Sequence, residues 1–153
     1  MNLATRLVEA AHAHGDRPAV RLDDTVLAYA ELLSRASDVA AELVGQGFQP
    51  GDRAGLLLPN APAYPVHFYG ILLAGGIVVP MNPLLRAPEI EYHLRDCGAS
   101  HVFASPEAAD EARSAATETG TTVTQVDLVA ATAPPSPAVT PVERAAGDTA
   151  LIL

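Results

Sequence analysis

RAGLLLPNAPAYPVHFYGILLAGGIVVP, residues 53–80, opens and closes on short aliphatic runs. Leu56-Leu57-Leu58 and Ile77-Val78-Val79 are apolar at successive positions, so neither side of either run suits water. That pattern predicts strands buried on both faces, as in a parallel sheet, rather than half-solvated ones. Between them the spacing predicts a helix. Asn60 is placed to cap it, Pro62 falls in its first turn, and Pro65 is early enough to be tolerated. Gly75-Gly76 should end the helix near Ala74. A strand, a helix and a second strand make one β-α-β unit.

Working downstream, Pro88 should open a helix through Ile90, His93 and Leu94 that stops at Gly98. A strand follows at His101 to Ala104, a helix from Pro106 to about Thr119, and a strand from Thr121 to Val126. Upstream, Asn2 can cap a helix carrying Leu3, Leu7, Ala10 and Ala11 and ending at Gly15. Ala19 to Leu22 and Thr25 to Leu27, joined through Asp23-Asp24, read as a small hairpin. From Tyr29 to Gln46, apolar residues at Leu32, Leu33, Ala36, Val39, Ala40, Leu43 and Val44 define an amphipathic helix. The expected class is α/β, with a mostly parallel open sheet, helices on both faces and a small N-terminal hairpin.

Three zones follow: an α/β subdomain over 1–126, a Pro/Ala-rich connector over 127–148, and the start of a strand over 149–153. Ala150-Leu151-Ile152-Leu153 reads as another buried strand, and an end on bare aliphatics reads as a cut one. Such an edge should let the chain self-associate.

The chain has 153 residues, enough for one domain or a large piece of one. Apolar residues at 49% and charged ones at 18% exclude a disordered acidic tail and a collagen-like repeat. The formal charge of -9 disfavours a nucleic-acid partner. All nine basic residues are Arg, so phosphate-loop and Schiff-base lysines are excluded within this chain. A lone Cys97 excludes an internal disulfide and points to a reducing compartment. There is no basic leader, and the longest apolar stretch, broken by Gly75-Gly76, is too short for a bilayer. The expectation is a soluble cytoplasmic protein.

Several blocks are more specific than this rhythm. They are Tyr29-Ala30-Glu31-Leu32, Pro50-Gly51-Asp52-Arg53, Leu58-Pro59-Asn60, Gly70 to Pro83, Glu89-Ile90 and Asp96-Cys97-Gly98-Ala99. In this order they resemble the amino-terminal part of the AMP-forming acyl-CoA synthetases, over about 1–126 and again 147–153. Pro80-Met81-Asn82-Pro83-Leu84-Leu85 is similar to the wording of fatty-acyl-CoA ligases. The resemblance implies a parent that uses ATP and Mg²⁺ to convert a carboxylic (fatty) acid to an acyl-adenylate, then transfers the acyl group to coenzyme A. It also implies that the Lys-bearing phosphate loop lies beyond Leu153. The partner of this segment would then be the remainder of the ligase chain, and the segment alone should bind no cofactor and show no ligase activity. Two alternatives stay open: a non-catalytic α/β interaction module, and an adenylating enzyme with a carrier-protein acceptor.

No catalytic, cofactor-binding or metal-binding residue is assigned. Gly75-Gly76 precede a strand, whereas a phosphate cradle follows one and opens a helix, so they read as architecture. His12 and His14 diverge on a helix, and His67, His93 and His101 lie on three elements, which does not suit a metal set. His67 reads as a partly buried helix side chain, and Cys97 as a small filler without a base partner. Tyr64, Phe68 and Tyr69 read as core aromatics, with an acyl tunnel as the alternative. Asp23-Asp24 read as a turn and Asp110-Glu111 as a solvated helix face. Relatives commonly place Thr or Ser where this chain has Ala28, so the following helix should start less firmly.

Overall fold

The structure is a computed structural model that describes residues 2–128 and 139–153. The connector expected over 127–148 therefore falls partly outside the described residues. Helix α1 (Thr5–His14) leads into a hairpin of β1 (Pro18–Leu22) and β2 (Thr25–Ala28), followed by α2 (Tyr29–Gly45). Then come β3 (Arg53–Leu57), α3 (Ala63–Leu73), β4 (Ile77–Pro80), α4 (Ala87–Cys97), β5 (His101–Ala104), α5 (Ala109–Thr119) and β6 (Thr122–Gln125). Strands β3 to β6 form a sheet in the order β4-β3-β5-β6, every pair parallel.

The two-sided apolar runs explain how that sheet is covered. Ala54, Leu56 and Leu58 of the β3 segment face one core, built with α1, α2 and α3, while Leu57 faces a second core under α4 and α5. Phe103 joins the first core, and Val102 and Ala104 join the second. Helices thus lie on both faces, as expected of buried parallel strands. Helices α2 and α3 approach closely at Gly70, where an added Cβ would lie 2.6 Å from Val39.

Four local expectations are corrected. Asn60 does not cap α3: the cap position is Pro62, already in helical backbone, and Asn60 stands exposed ahead of it. Asn2 does not cap α1 directly; its Oδ1 accepts the N–H of Ala4 at 2.9 Å, in the turn that precedes the helix. Helix α5 begins at Ala109 rather than Pro106, because a turn closed by the Ala108 N–H on the Ser105 carbonyl comes first. Residues 150–153 do not form a buried strand. Leu151 makes a single parallel bridge to Val78 and is 38% exposed, and Leu153 is fully exposed. Leu151 occupies the outer edge of β4, where only one side finds a neighbour.

Candidate functional site

The strand order reverses between β3 and β5: the chain leaves β3 for β4 on one side, then crosses back to β5 on the other. In open α/β sheets such a reversal leaves a crevice at the carboxyl ends of the strands, the usual place for a ligand. Here that edge carries Leu58-Pro59-Asn60 after β3 and Ser105 after β5. His67 lies beside it, its ring 4.7 Å from that of Phe103 on β5. Its Nδ1 donates to the Ala63 carbonyl at 2.8 Å, one helical turn back. Burial holds its pKa below 6.5, against a smaller upward push from that bond and from Glu42. The ring is therefore a neutral, half-buried helix side chain.

The glycine pair is spent on architecture. Gly75 takes φ +80, the left-handed backbone that ends α3, and its N–H donates to the Leu72 carbonyl. The Gly76 N–H donates to Ile71, and the Gly75 carbonyl accepts from Gly51. A Cβ on Gly76 would lie 2.5 Å from the Phe48 ring, so the space above it is filled by protein. Both donors that a phosphate would need are committed, and the chain has no Lys to assist them. These residues do not fit the phosphate groups of ATP.

Cys97 is half-buried, and burial raises its thiol pKa, so the protonated form predominates at neutral pH. Its carbonyl and that of Gly98 are gripped by Arg53, whose Nε and Nη2 donate at 2.7 and 2.6 Å. Tyr64 stacks on Phe68 at 6.4 Å and Phe68 meets Tyr69 edge-on at 5.5 Å, all three half-buried against the first core. His12, His14 and His93 are exposed, and His101 is buried against Phe48. Among the described residues no group of three or more His, Cys, Asp or Glu could hold a metal ion, and no helix is long and apolar enough to cross a membrane.

The reading of Asp110-Glu111 as a solvated pair holds for half of it. Asp110 is exposed and pairs with Arg113. Glu111 instead reaches from α5 to the start of α4, accepting the Ala87 N–H at 2.8 Å and the Arg86 guanidinium at 3.0 Å. Those bonds, led by the backbone one, hold its carboxyl pKa below the ordinary 4.5. A cleft of about 740 Å³ lies between the start of α1 and residues 140–145, lined in part by Asn2, Thr5, Val142 and Arg144. The Glu111 contacts are not visible in spacing, because Ala87 and Arg86 lie 24 and 25 residues away in the chain.

The parallel sheet with its strand reversal and helices on both faces defines a doubly wound α/β unit. The family model described as AMP-binding enzyme matches residues 7–153, and the chain belongs to that family. It is 40% identical over 101 residues to a long-chain-fatty-acid–CoA ligase from Bacillus subtilis (strain 168), an alignment spanning 66% of this chain and 18% of the relative. It is 42% identical over 92 residues to a feruloyl-CoA synthase from Amycolatopsis sp, spanning 60% of this chain and 19% of that one. The fold superposes on a benzoate CoA ligase from Burkholderia xenovorans LB400 with a TM-score of 0.88 at 26% identity, covering 99% of this chain and 32% of the ligase. For the N-terminal domain of FACL13 from Mycobacterium tuberculosis the TM-score is 0.81 at 27% identity, covering 99% of this chain and 41% of that domain. The chain spans less than a fifth of the length of these curated relatives.

Proposed function

We propose that this chain is the amino-terminal structural segment of an ATP-dependent, AMP-forming ligase that activates a fatty acid as its acyl-adenylate and passes it to coenzyme A. The observation that carries this reading is the family match over 7–153 together with the identity to a long-chain-fatty-acid–CoA ligase. In this reading ATP, Mg²⁺ and coenzyme A belong to the whole enzyme, which works in the cytoplasm. The segment supplies sheet and helices against which the nucleotide-binding remainder packs. By itself it forms no acyl-adenylate, because its glycine donors are committed and it has no Lys.

The test is a pair of chimeras. This chain replaces the matching segment in the Bacillus subtilis ligase and, separately, in the Amycolatopsis feruloyl-CoA synthase. Each chimera is expected to keep its host's substrate, since the segment contributes scaffold. Loss of acyl-CoA formation in both, with folding intact, contradicts the assignment to this part of the enzyme. A shift of both hosts toward one common substrate contradicts the scaffold role.

A further inference from the structure

Asn2 is 5% exposed, and each polar atom of its side chain is engaged. Its Oδ1 accepts the Ala4 N–H at 2.9 Å, in the turn before α1. Its Nδ2 donates to two carbonyls, that of Leu72 near the end of α3 and that of Val142 at 3.0 Å. One amide therefore joins three segments separated by 70 and 140 residues. The Val142 N–H donates in turn to the Leu73 carbonyl at 3.1 Å. Val142 also packs directly over Gly75, where a Cβ would lie 2.8 Å from its methyl carbon. A few residues on, the Val78 N–H donates to Ala150 at 2.9 Å and the Ile152 N–H to Val78 at 3.0 Å.

We infer that Asn2 is a clasp: it fixes residues 139–148 as a strap across the end of α3 and thereby sets where residues 150–152 join the outer edge of β4. The physical reason is satisfiability. A buried amide offers two N–H donors, and the carbonyls of Leu72 and Val142 take one each, so the side chain holds only when the strap is seated. Releasing the strap removes one of the two carbonyl acceptors that hold the Asn2 amide and leaves that donor to water. The ordinary role of an Asn near a helix start is to cap, and that needs only Oδ1. The two Nδ2 bonds are in addition to it. The functional meaning, though not the clasp itself, rests on the proposed function: Asn2 is then a positioning residue for the segment that follows the β4 edge.

Amide hydrogen exchange of the 153-residue chain, followed by NMR, tests this. Asn2→Ser keeps a side-chain oxygen close to the Ala4 N–H but is too short to reach Leu72 and Val142; Asn2→Ala removes all three bonds. In Asn2→Ser, exchange at the Val142 and Ile152 amides is expected to quicken about tenfold, while the Ser105 and Thr122 amides, bonded across β3, β5 and β6, change by less than about threefold. Unchanged exchange at Val142 and Ile152 overturns the clasp. A uniform rise across the sheet also overturns it, because Asn2 would then contribute only general stability. Should Asn2→Ala fail to fold, Asn2→Ser decides alone. Either result is independent of whether the longer enzyme activates fatty acids.

Discussion

Arg53, the first residue of β3, spends its guanidinium on three carbonyls: Cys97, Gly98 and, at 3.1 Å, Gly51. It closes the C-terminal end of α4 from a neighbouring strand, where a positive charge also suits the helix dipole. Arg53→Ala is expected to cost about 2–3 kcal/mol in urea unfolding, and Arg53→Lys to recover less than half of that, since an ammonium cannot reproduce the fork. A loss under about 0.5 kcal/mol would show the three bonds to be incidental. Acid sensitivity also belongs to single residues. Burial lowers the pKa of His67 and of His101 below 6.5, with Asp52 and Glu42 opposing it weakly at His101. The fold therefore favours the neutral rings. That contribution is complete above pH 6.5 and is lost as the pH falls through the lower folded values. His101 adds to this, because its buried Nε2 has no hydrogen-bond partner among the described residues. The unfolding midpoint should fall between pH 7.5 and 5.5, and His101→Phe should flatten that fall. A second loss, from Glu111, begins only below about pH 4.5. A midpoint independent of pH from 7.5 to 5.5 would contradict the burial argument.

The elements divide into those legible in the chain and those that needed the third dimension. Leu56-Leu57-Leu58 announced a strand buried on both sides because only a two-faced core accepts consecutive leucines, and it feeds both cores. The hairpin and α2 were equally plain, since turn residues and helical period agree there. At α3 the cap position falls to Pro62, whose fixed φ already suits helical backbone, ahead of any side chain. The long-range bonds of Asn2, Arg53 and Glu111 are hidden for another reason: those partners lie 24 to 140 residues away. At the start of α2, Ala28 has extended backbone fit for a cap but no side-chain bond, while the Tyr29 and Ala30 N–H groups find the Arg17 and Gly15 carbonyls. A hydroxyl at 28 would aim at the N–H of Glu31, the third residue of the helix. Ala28→Thr should therefore stabilise by about 1 kcal/mol, read as a higher melting temperature; no change would mean the start is already satisfied. At the α2–α3 contact the direction reverses. Gly70→Ala sets a methyl against Val39 and should cost about 1–3 kcal/mol, with a neutral result contradicting the close packing.

For the molecule as a whole, membership of the AMP-binding enzyme family goes with superposition of 99% of the chain on 32% of a benzoate CoA ligase. The strand order reverses between β3 and β5, two cores cover the faces of the sheet, and Leu151 bridges Val78 at the β4 edge. At the glycine pair, the backbone donors of Gly75 and Gly76 already serve the end of α3 and leave no grip for phosphate there. The most direct measurement is a titration of the purified chain with Mg²⁺-ATP, observed through its backbone amide resonances. A scaffold predicts no saturable shift into the millimolar range, at the glycine pair or along the carboxyl edge of β3 and β5. Saturable shifts centred on Gly75 and Gly76 would contradict it and give this segment a nucleotide site of its own.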